Sequence, residues 1–409
     1  MRILSKLSCA SVAAMAIALS SAVSAQVAVR AKKLYTMAGP VIEDGIVVIK
    51  DGKISAVGRA GEIPVPPGYR LLQAEVATPG LIDARSVVGL GGIYNNRRED
   101  QDQLERSEPV QPELRAIDAY NSKDRLVRWL REFGITTVHT GHAPGELVSG
   151  QTCIVKTAGN SVDRAVVKRT AMIAATLASS AKKSGGKAPG TRAKMMSLLR
   201  QQLIAAREYG EKMAHQDESK RPARDLRKDA LVQVLRKELP LIITAQRAQD
   251  IANALRLAEE FGFRLVLDGA AESYLMIDRI KQAGVPVLIH PTMARAVGEL
   301  SNMSFETASK LVKAGIPLAF QSGFESYVPK TRVVLFEAGM AAAHGLGFEP
   351  ALAAITRDAA KVLGIEDRVG TLEVGKDGDV AIFDGDPFEY TTHVTGVVIE
   401  GRVVSEQRR

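Results

Sequence analysis

The stretch Thr78-Pro79-Gly80-Leu81-Ile82-Asp83-Ala84-Arg85-Ser86-Val87 stands where the chain changes character. Before it, Val27–Arg30, Gly45–Ile49 and Lys53–Val57 are runs rich in β-branched residues, separated by the turn signals Glu43-Asp44-Gly45 and Asp51-Gly52. Asp51-Gly52 fits a tight hairpin whose two central residues both need positive φ. From Leu81 onward, apolar runs alternate with helical stretches, the pattern of parallel strands joined by crossovers. Eight strand candidates follow in order: Leu81–Val87, Ile135–His139, Cys153–Lys156, Arg169–Ala175, Pro240–Thr244, Arg264–Asp268, Pro286–His290 and Ile316–Phe320. Eight strands suffice to close a barrel. The chain ends as it began, with Asp379–Phe383 and Val394–Ile399 reading as strands and Gly385 and Gly401 as breakers. Two β-rich ends around a different middle predict one β domain built from both termini.

Helices are expected between most of these strands. Ser122 is placed to cap one that carries Leu126, Val127, Leu130 and Phe133 on one face and stops at Gly134, and Ser304 to cap another running to Gly315. The region Thr191–Glu238 holds two more around Arg221-Pro222, so the crossover after the fourth strand is enlarged. In barrels of this kind chemistry sits at the carboxyl ends of the strands and in the loops beyond them. That rule singles out the polar Gly91–Pro112 loop, the Ser179–Gly190 loop and Gly323–Lys330.

The N-terminus has the order of a secretory signal: Arg2 and Lys6, an apolar run Leu7–Leu19, then the small residues Val23-Ser24-Ala25. Residues 1–25 are therefore expected to be removed and the protein exported, to a periplasm. The apolar run falls short of the ~20 residues of a bilayer span and is broken or bounded by Ser8, Ser11, Ser20 and Ser21, so no membrane span is expected after cleavage. Cleavage leaves Cys153 as the one cysteine, which excludes an internal disulfide and puts stability in the core. The formal charge is +8. Much of the excess lies between Lys182 and Lys228, in a run without the interleaved aromatics of a nucleic-acid platform; it reads as a solvated face, and nucleic acid is not expected as a partner.

Three motifs, in order, resemble the amidohydrolase superfamily and in particular its imidazolonepropionase-like and dipeptidase-like branches. Thr78-Pro79-Gly80-Leu81-Ile82-Asp83 is similar to the junction where that family's β domain enters the first barrel strand, and Gly134-Ile135-Thr136-Thr137-Val138 to its second strand. Gly375-Lys376-Asp377-Gly378-Asp379-Val380, followed by Asp384-Gly385-Asp386-Pro387, is similar to the return into the β domain. The resemblance implies an α/β protein: a (β/α)8 TIM-type barrel over residues 80–365 with a small β-sandwich domain composed of 26–79 and 366–409. It also implies where metal ligands should stand. Active members carry two histidines one residue apart after the first junction, histidines on the fifth and sixth strands, and an aspartate on the eighth. The matching positions here are Arg85 and Val87, Thr244, Asp268, and Gly323.

That substitution pattern carries a chemical consequence. A catalytic zinc takes about three protein donors, drawn from neutral imidazole, thiolate or carboxylate. Arg85 has no lone pair to offer, and Val87 and Gly323 offer nothing. Without the ion, water keeps a pKa of ~15.7 in place of ~7 and the hydrolytic nucleophile is lost. No cofactor is expected on this reading, and the chain is a degenerate homologue, non-catalytic or impaired, that binds a small molecule or an active amidohydrolase paralogue, as a homo- or hetero-oligomer. The alternative is a hydrolase of C–N bonds in amides, cyclic amides or dipeptides, using zinc or another divalent metal in a rearranged site of His139, His142 and Asp268. Arg85, Gln151, Lys156, Thr244, Gln246, Arg247, Glu272, His290, Gln321 and Ser322 are pocket candidates. Of these, Lys156, Gln151, Gln246, Arg247 and Glu272 serve equally as barrel-rim salt-bridge partners, and His290 equally as a structural histidine. Arg85 and Asp268 are expected to pair, directly or through Gln321, in the vacated metal position.

Overall fold

The computed structural model describes residues 26–290, 292, 296–324 and 333–409. The expected signal segment and most of the Gly323–Lys330 loop lie outside those residues. The chain opens with four strands, β1 (Val27–Leu34), β2 (Ile42–Lys50), β3 (Lys53–Arg59) and β4 (Arg70–Pro79). The Asp51-Gly52 turn has positive φ at both residues, 51° and 83°, so the β2–β3 hairpin forms as its sequence dictates. β4 returns parallel to β1.

The barrel strands follow: β5 (Leu81–Ser86), β6 (Ile135–Thr140), β7 (Val148–Gln151), β8 (Cys153–Lys156), β9 (Val166–Lys168), β10 (Ile173–Thr176), β11 (Leu241–Ala245), β12 (Leu265–Gly269), β13 (Val287–Ile289) and β14 (Leu318–Phe320). The last three, β15 (Val380–Phe383), β16 (Val394–Ile399) and β17 (Arg402–Ser405), rejoin β4, so both ends of the chain share one seven-stranded sheet. Its far edges meet. The amide of Gly378 donates to Gly52 at the β2–β3 turn, and the amide of Gly401, at the β16–β17 turn, donates to Gly378. The sheet thus curls into a sandwich around Val29, Val47, Ile49, Ile54, Val380 and Val398.

β10 to β14 pair in parallel, each with the next, and β5 pairs in parallel with β6. A parallel bridge from Ser86 to Gly323 links the two arcs on one side. The third candidate strand departs from expectation. It is kinked at Thr152 into β7 and β8 and runs antiparallel to its neighbours, β7 against β10 and β8 against β6. The crossover expected here is replaced by a hairpin, because Gly141–Leu147 is too short for the dozen or more residues of a helical return. Reversal of this one strand exchanges its ends: Cys153 lies beside Thr140 at the carboxyl end of β6, and Lys156 beside Thr137 nearer its start.

Ile154, Ala174, Ile242, Val266, Leu288 and Ala319 form one buried cluster with Ala359, Ala360 and Leu363, from the helix Arg357–Leu363. Two residues further along the strands, and so on the same face, come Thr176, Thr244, Asp268, His290 and Gln321. This polar layer marks the mouth. The helix Arg125–Glu132 buries Leu126, Val127 and Leu130 as expected, but Asp124 caps it, accepting from the amide of Leu126 at 2.8 Å, where Ser122 was expected. The enlarged crossover supplies the helices Arg192–Met213 and Leu226–Leu235, capped by Thr191 and Asp225. Of the second expected cap, the Ser304 hydroxyl accepts from the amide of Glu306 and its carbonyl from that of Thr307, and the helix itself spans Thr307–Lys313.

Candidate functional site at the barrel mouth

Strand register identifies the mouth positions. Thr176 stands opposite Thr244, and Thr244 opposite Asp268, on three consecutive parallel strands. Asp268 is buried, and its two carboxylate oxygens are taken by neighbours: one by the hydroxyl of Thr244, the other by the side-chain amide of Gln321. Gln321 also donates to the Leu288 carbonyl at 3.0 Å, which fixes its orientation. Thr176, the fourth-strand member of the layer, is buried and its hydroxyl has no partner.

Arg85 is 4% exposed. Its guanidinium donates to the His142 carbonyl, in the loop after β6, and weakly to the Ser86 carbonyl at 3.4 Å; Nε has no partner. The expected Arg85–Asp268 ion pair does not form. Asp268 is satisfied by two neutral donors, which leaves it no geometric need for the cation, although its charge supports that of Arg85 more than any other. Burial lowers the Arg85 pKa from its ordinary value.

The two histidines proposed as a rearranged site have different fates. His139 is wholly buried, with Nδ1 2.7 Å from the Ala84 carbonyl and Nε2 2.6 Å from the Thr152 hydroxyl. A carbonyl only accepts, so Nδ1 carries the proton and the Nε2 lone pair receives the threonine hydroxyl. Both nitrogens are spent on joining β5, β6 and the kink at Thr152. Burial, seconded by Arg85, pushes the His139 pKa down to about 3, consistent with a neutral structural imidazole. His142 is 5% exposed, and its imidazole meets the Leu114 carbonyl and no other protein group. Its ring lies over Gly150 at φ +138°, where an added Cβ would come within 2.5 Å of it. Burial and then Arg85 hold its pKa down to about 4.

The other candidates scatter. Lys156 is a correction: strand reversal carries it away from the mouth, to a buried cluster where its Nζ lies 3.0 Å from Asp377 and also bonds Asp379. Glu272 caps the helix Ala248–Phe261, accepting from the Ala248 amide at 2.7 Å, and receives Asn302 at 2.8 Å. Gln246 accepts from the Ala271 amide, Arg247 reaches the Gly298 carbonyl, and Gln151 donates to Pro112, so these three serve loop backbone. His290 places Nδ1 3.2 Å from the Gln321 carbonyl and 3.8 Å from Glu337. Val87 is packed in the apolar interior.

Ser322 leads to a residue missed by the sequence reading. Its amide, at 3.0 Å, and its hydroxyl both donate to Asp83, whose pKa is pushed up to about 6 by burial. Glu337 was also missed: it is the single charge of the helix Val334–Ala341, and that isolation was the available signal. It accepts from the amide of Thr292 at 2.6 Å and from its hydroxyl. Glu146, buried against Lys183, gave no sign in the sequence.

These donors do not fit a divalent metal. His139 has no lone pair free, Asp268 is bonded on both oxygens, and Thr244, Arg85 and Gly323 stand where the resemblance places ligands. Among the described residues no three histidine, cysteine or carboxylate groups gather as a metal set. No helix among them is long and apolar enough to cross a membrane.

A model of the amidohydrolase family matches residues 117–405. The chain belongs to the amidohydrolase family. The chain superposes on a solved amidohydrolase of Thermotoga maritima with a TM-score of 0.87 and 28% identity, over 93% of its own length and all of the other. It is 25% identical to an imidazolonepropionase of Rhizorhabdus wittichii over 87% of this chain and 92% of that one. A Caulobacter imidazolonepropionase is 29% identical over a shorter stretch, 36% of each chain, so the match spans about a third of that relative. The resemblance read in the junction motifs and the α/β barrel with a two-ended β domain are thus both established.

Proposed function

We propose that this chain is an exported member of the family that has lost or nearly lost hydrolysis and keeps the fold to bind a small molecule, alone or beside an active paralogue. One observation carries the reading: the mouth carboxylate Asp268 is saturated by Thr244 and Gln321, neutral donors from neighbouring strands, while Arg85 stands at the first ligand position. A divalent ion entering there would have to displace two hydrogen bonds and sit near a permanent cation. Hydroxide is then not generated at neutral pH, and an amide carbonyl finds no Lewis acid. A second reading, hydrolysis of C–N bonds in amides, cyclic amides or dipeptides, is favoured by the imidazolonepropionases among the relatives.

Metal analysis of the purified protein decides between them, coupled to turnover of dipeptides and cyclic amides with and without added zinc. Sub-stoichiometric metal and no turnover are expected. Stoichiometric zinc, lost together with turnover in His139→Ala and His142→Ala, would overturn the first reading. Export is checked by the N-terminal residue of periplasmic protein, expected to be Gln26. Association with a paralogue is checked by the native mass of the co-expressed pair.

A further inference from the structure

We propose that the guanidinium of Arg85, with the ring of His142 beside it, forms a binding site for the carboxylate of a small molecule. This rests on the binding role argued above and names the chemistry of the ligand. A guanidinium carries five N–H donors in a fixed fork, and in Arg85 only two contacts are made, both to backbone carbonyls. Nε is buried and without a partner. A buried arginine ordinarily faces a carboxylate, because two carbonyl dipoles do not repay removal of a full charge from water. The carboxylates nearby are committed elsewhere: Asp268 to Thr244 and Gln321, Asp83 to Ser322 and to the amide of Arg85 itself.

His142 supplies the second, independent observation. It is 5% exposed, its own carbonyl is the acceptor that holds Arg85, and its imidazole has the Leu114 carbonyl as its one hydrogen-bond neighbour, which leaves a ring nitrogen unspent. Buried polar atoms are nearly always satisfied by protein, water or ligand. An anion seated on the guanidinium fork favours the protonated ring, whose two N–H groups serve the Leu114 carbonyl and the anion. A carboxylate suits this pair best: it is planar, matches the fork with two parallel bonds, and has lone pairs left for the imidazole. A cation is opposed by Arg85, and a neutral amide would leave the charge uncompensated.

The test uses the mature protein, freed of metal by chelation, titrated with acetate and with its neutral isostere acetamide at matched ionic strength. Thermal unfolding and calorimetry are the readouts. Acetate is expected to raise Tm saturably and acetamide not to. Arg85→Met is expected to weaken acetate binding by roughly tenfold or more, the loss of a charge-assisted pair. Arg85→Lys, which keeps the charge without the fork, and His142→Phe should each weaken it severalfold. Equal responses to acetate and acetamide, or an acetate response retained in Arg85→Met, overturns the proposal. Should Arg85→Met not fold, the contrast between the two ligands in the unaltered protein decides alone. A metal-free, inactive protein indifferent to acetate sinks the carboxylate site and leaves the non-catalytic reading standing. Stoichiometric zinc with turnover sinks that reading, whatever acetate does.

Discussion

The two ends of the barrel each bury a cation, and they treat it in opposite ways. At the base, Lys156 is 3% exposed and meets two carboxylates, Asp377 and Asp379, from the segment that leads into β15. Asp377 also receives Lys53 at 2.7 Å and Arg368 at 2.8 Å, and Asp379 accepts the amide of Glu400 at 2.9 Å. Burial opposes the charge on Lys156, but Asp379 and Asp377 outweigh it and its pKa lies above the ordinary value. At the mouth, Arg85 is equally buried yet meets only carbonyls, its pKa is lowered by burial, and its Nε and the hydroxyl of Thr176 are without partners. One end is a closed network that fastens the barrel to the β domain. The other is polar and buried, with hydrogen-bonding atoms of Arg85 and Thr176 left unspent, and the proposed carboxylate site rests on that difference.

The largest effect expected of breaking this contrast is at the base. Lys156→Met strands two buried carboxylates with only their outer partners, and removal of one member of such a set costs about 3–5 kcal/mol. Denaturant unfolding measures it, and a loss below about 1 kcal/mol would show that Lys53 and Arg368 neutralise the pair unaided. Arg85→Met should cost far less, within about 1 kcal/mol of zero, because it removes a charge that lacks a direct counter-ion.

Acid sharpens the comparison next. The pKa of His142 is about 4 in the fold against 6.5 unfolded, so below 6.5 the unfolded chain binds the extra proton. Stability from this group is therefore complete above pH 6.5 and is lost as pH falls from 6.5 through 4, on the order of 3 kcal/mol in all. Asp83 acts in the opposite sense: raised to about 6, it takes its proton in the folded state first. The difference between His142→Phe and the unaltered protein cancels Asp83 and isolates the histidine. The variant should lose less stability than the parent between pH 6.5 and 4, and parallel curves would place the imidazole in contact with solvent.

How much of this was legible in the sequence follows the same division. The junction at Thr78–Asp83, the Asp51-Gly52 hairpin and the eight apolar runs carried the fold, because periodicity and turn chemistry are local. Lys156 was misplaced because Val148-Ser149-Gly150-Gln151 lacks the β-branched density of a strand. The general alternation of strands and helices implied a parallel third strand, and its direction is the reverse. At the mouth, Arg85, Thr244 and Asp268 were found by position, but their bonds were not: whether Asp268 turns to Arg85 or to Thr244 depends on strand register, which no local pattern encodes. Asp83 stands in the junction two residues before Arg85, but a single carboxylate there gives no spacing signal, and its partner Ser322 is remote in sequence.

The smallest expected effect makes the finest distinction. Thr176 and Thr244 stand opposite each other on adjacent parallel strands, both buried, one with its hydroxyl on Asp268 and the other with no partner. Valine is nearly the same shape as threonine, so each replacement removes a hydroxyl and little else. Thr244→Val leaves a buried carboxylate oxygen without its donor and should cost about 1–3 kcal/mol. Thr176→Val removes a hydroxyl that already bears the cost of burial without a bond, and should lie within about 0.5 kcal/mol of zero or be stabilising. Should the two variants unfold at the same denaturant concentration, the Thr176 hydroxyl is held by an ordered water in the barrel. The mouth would then be complete at that strand, and its incompleteness confined to Arg85 and His142.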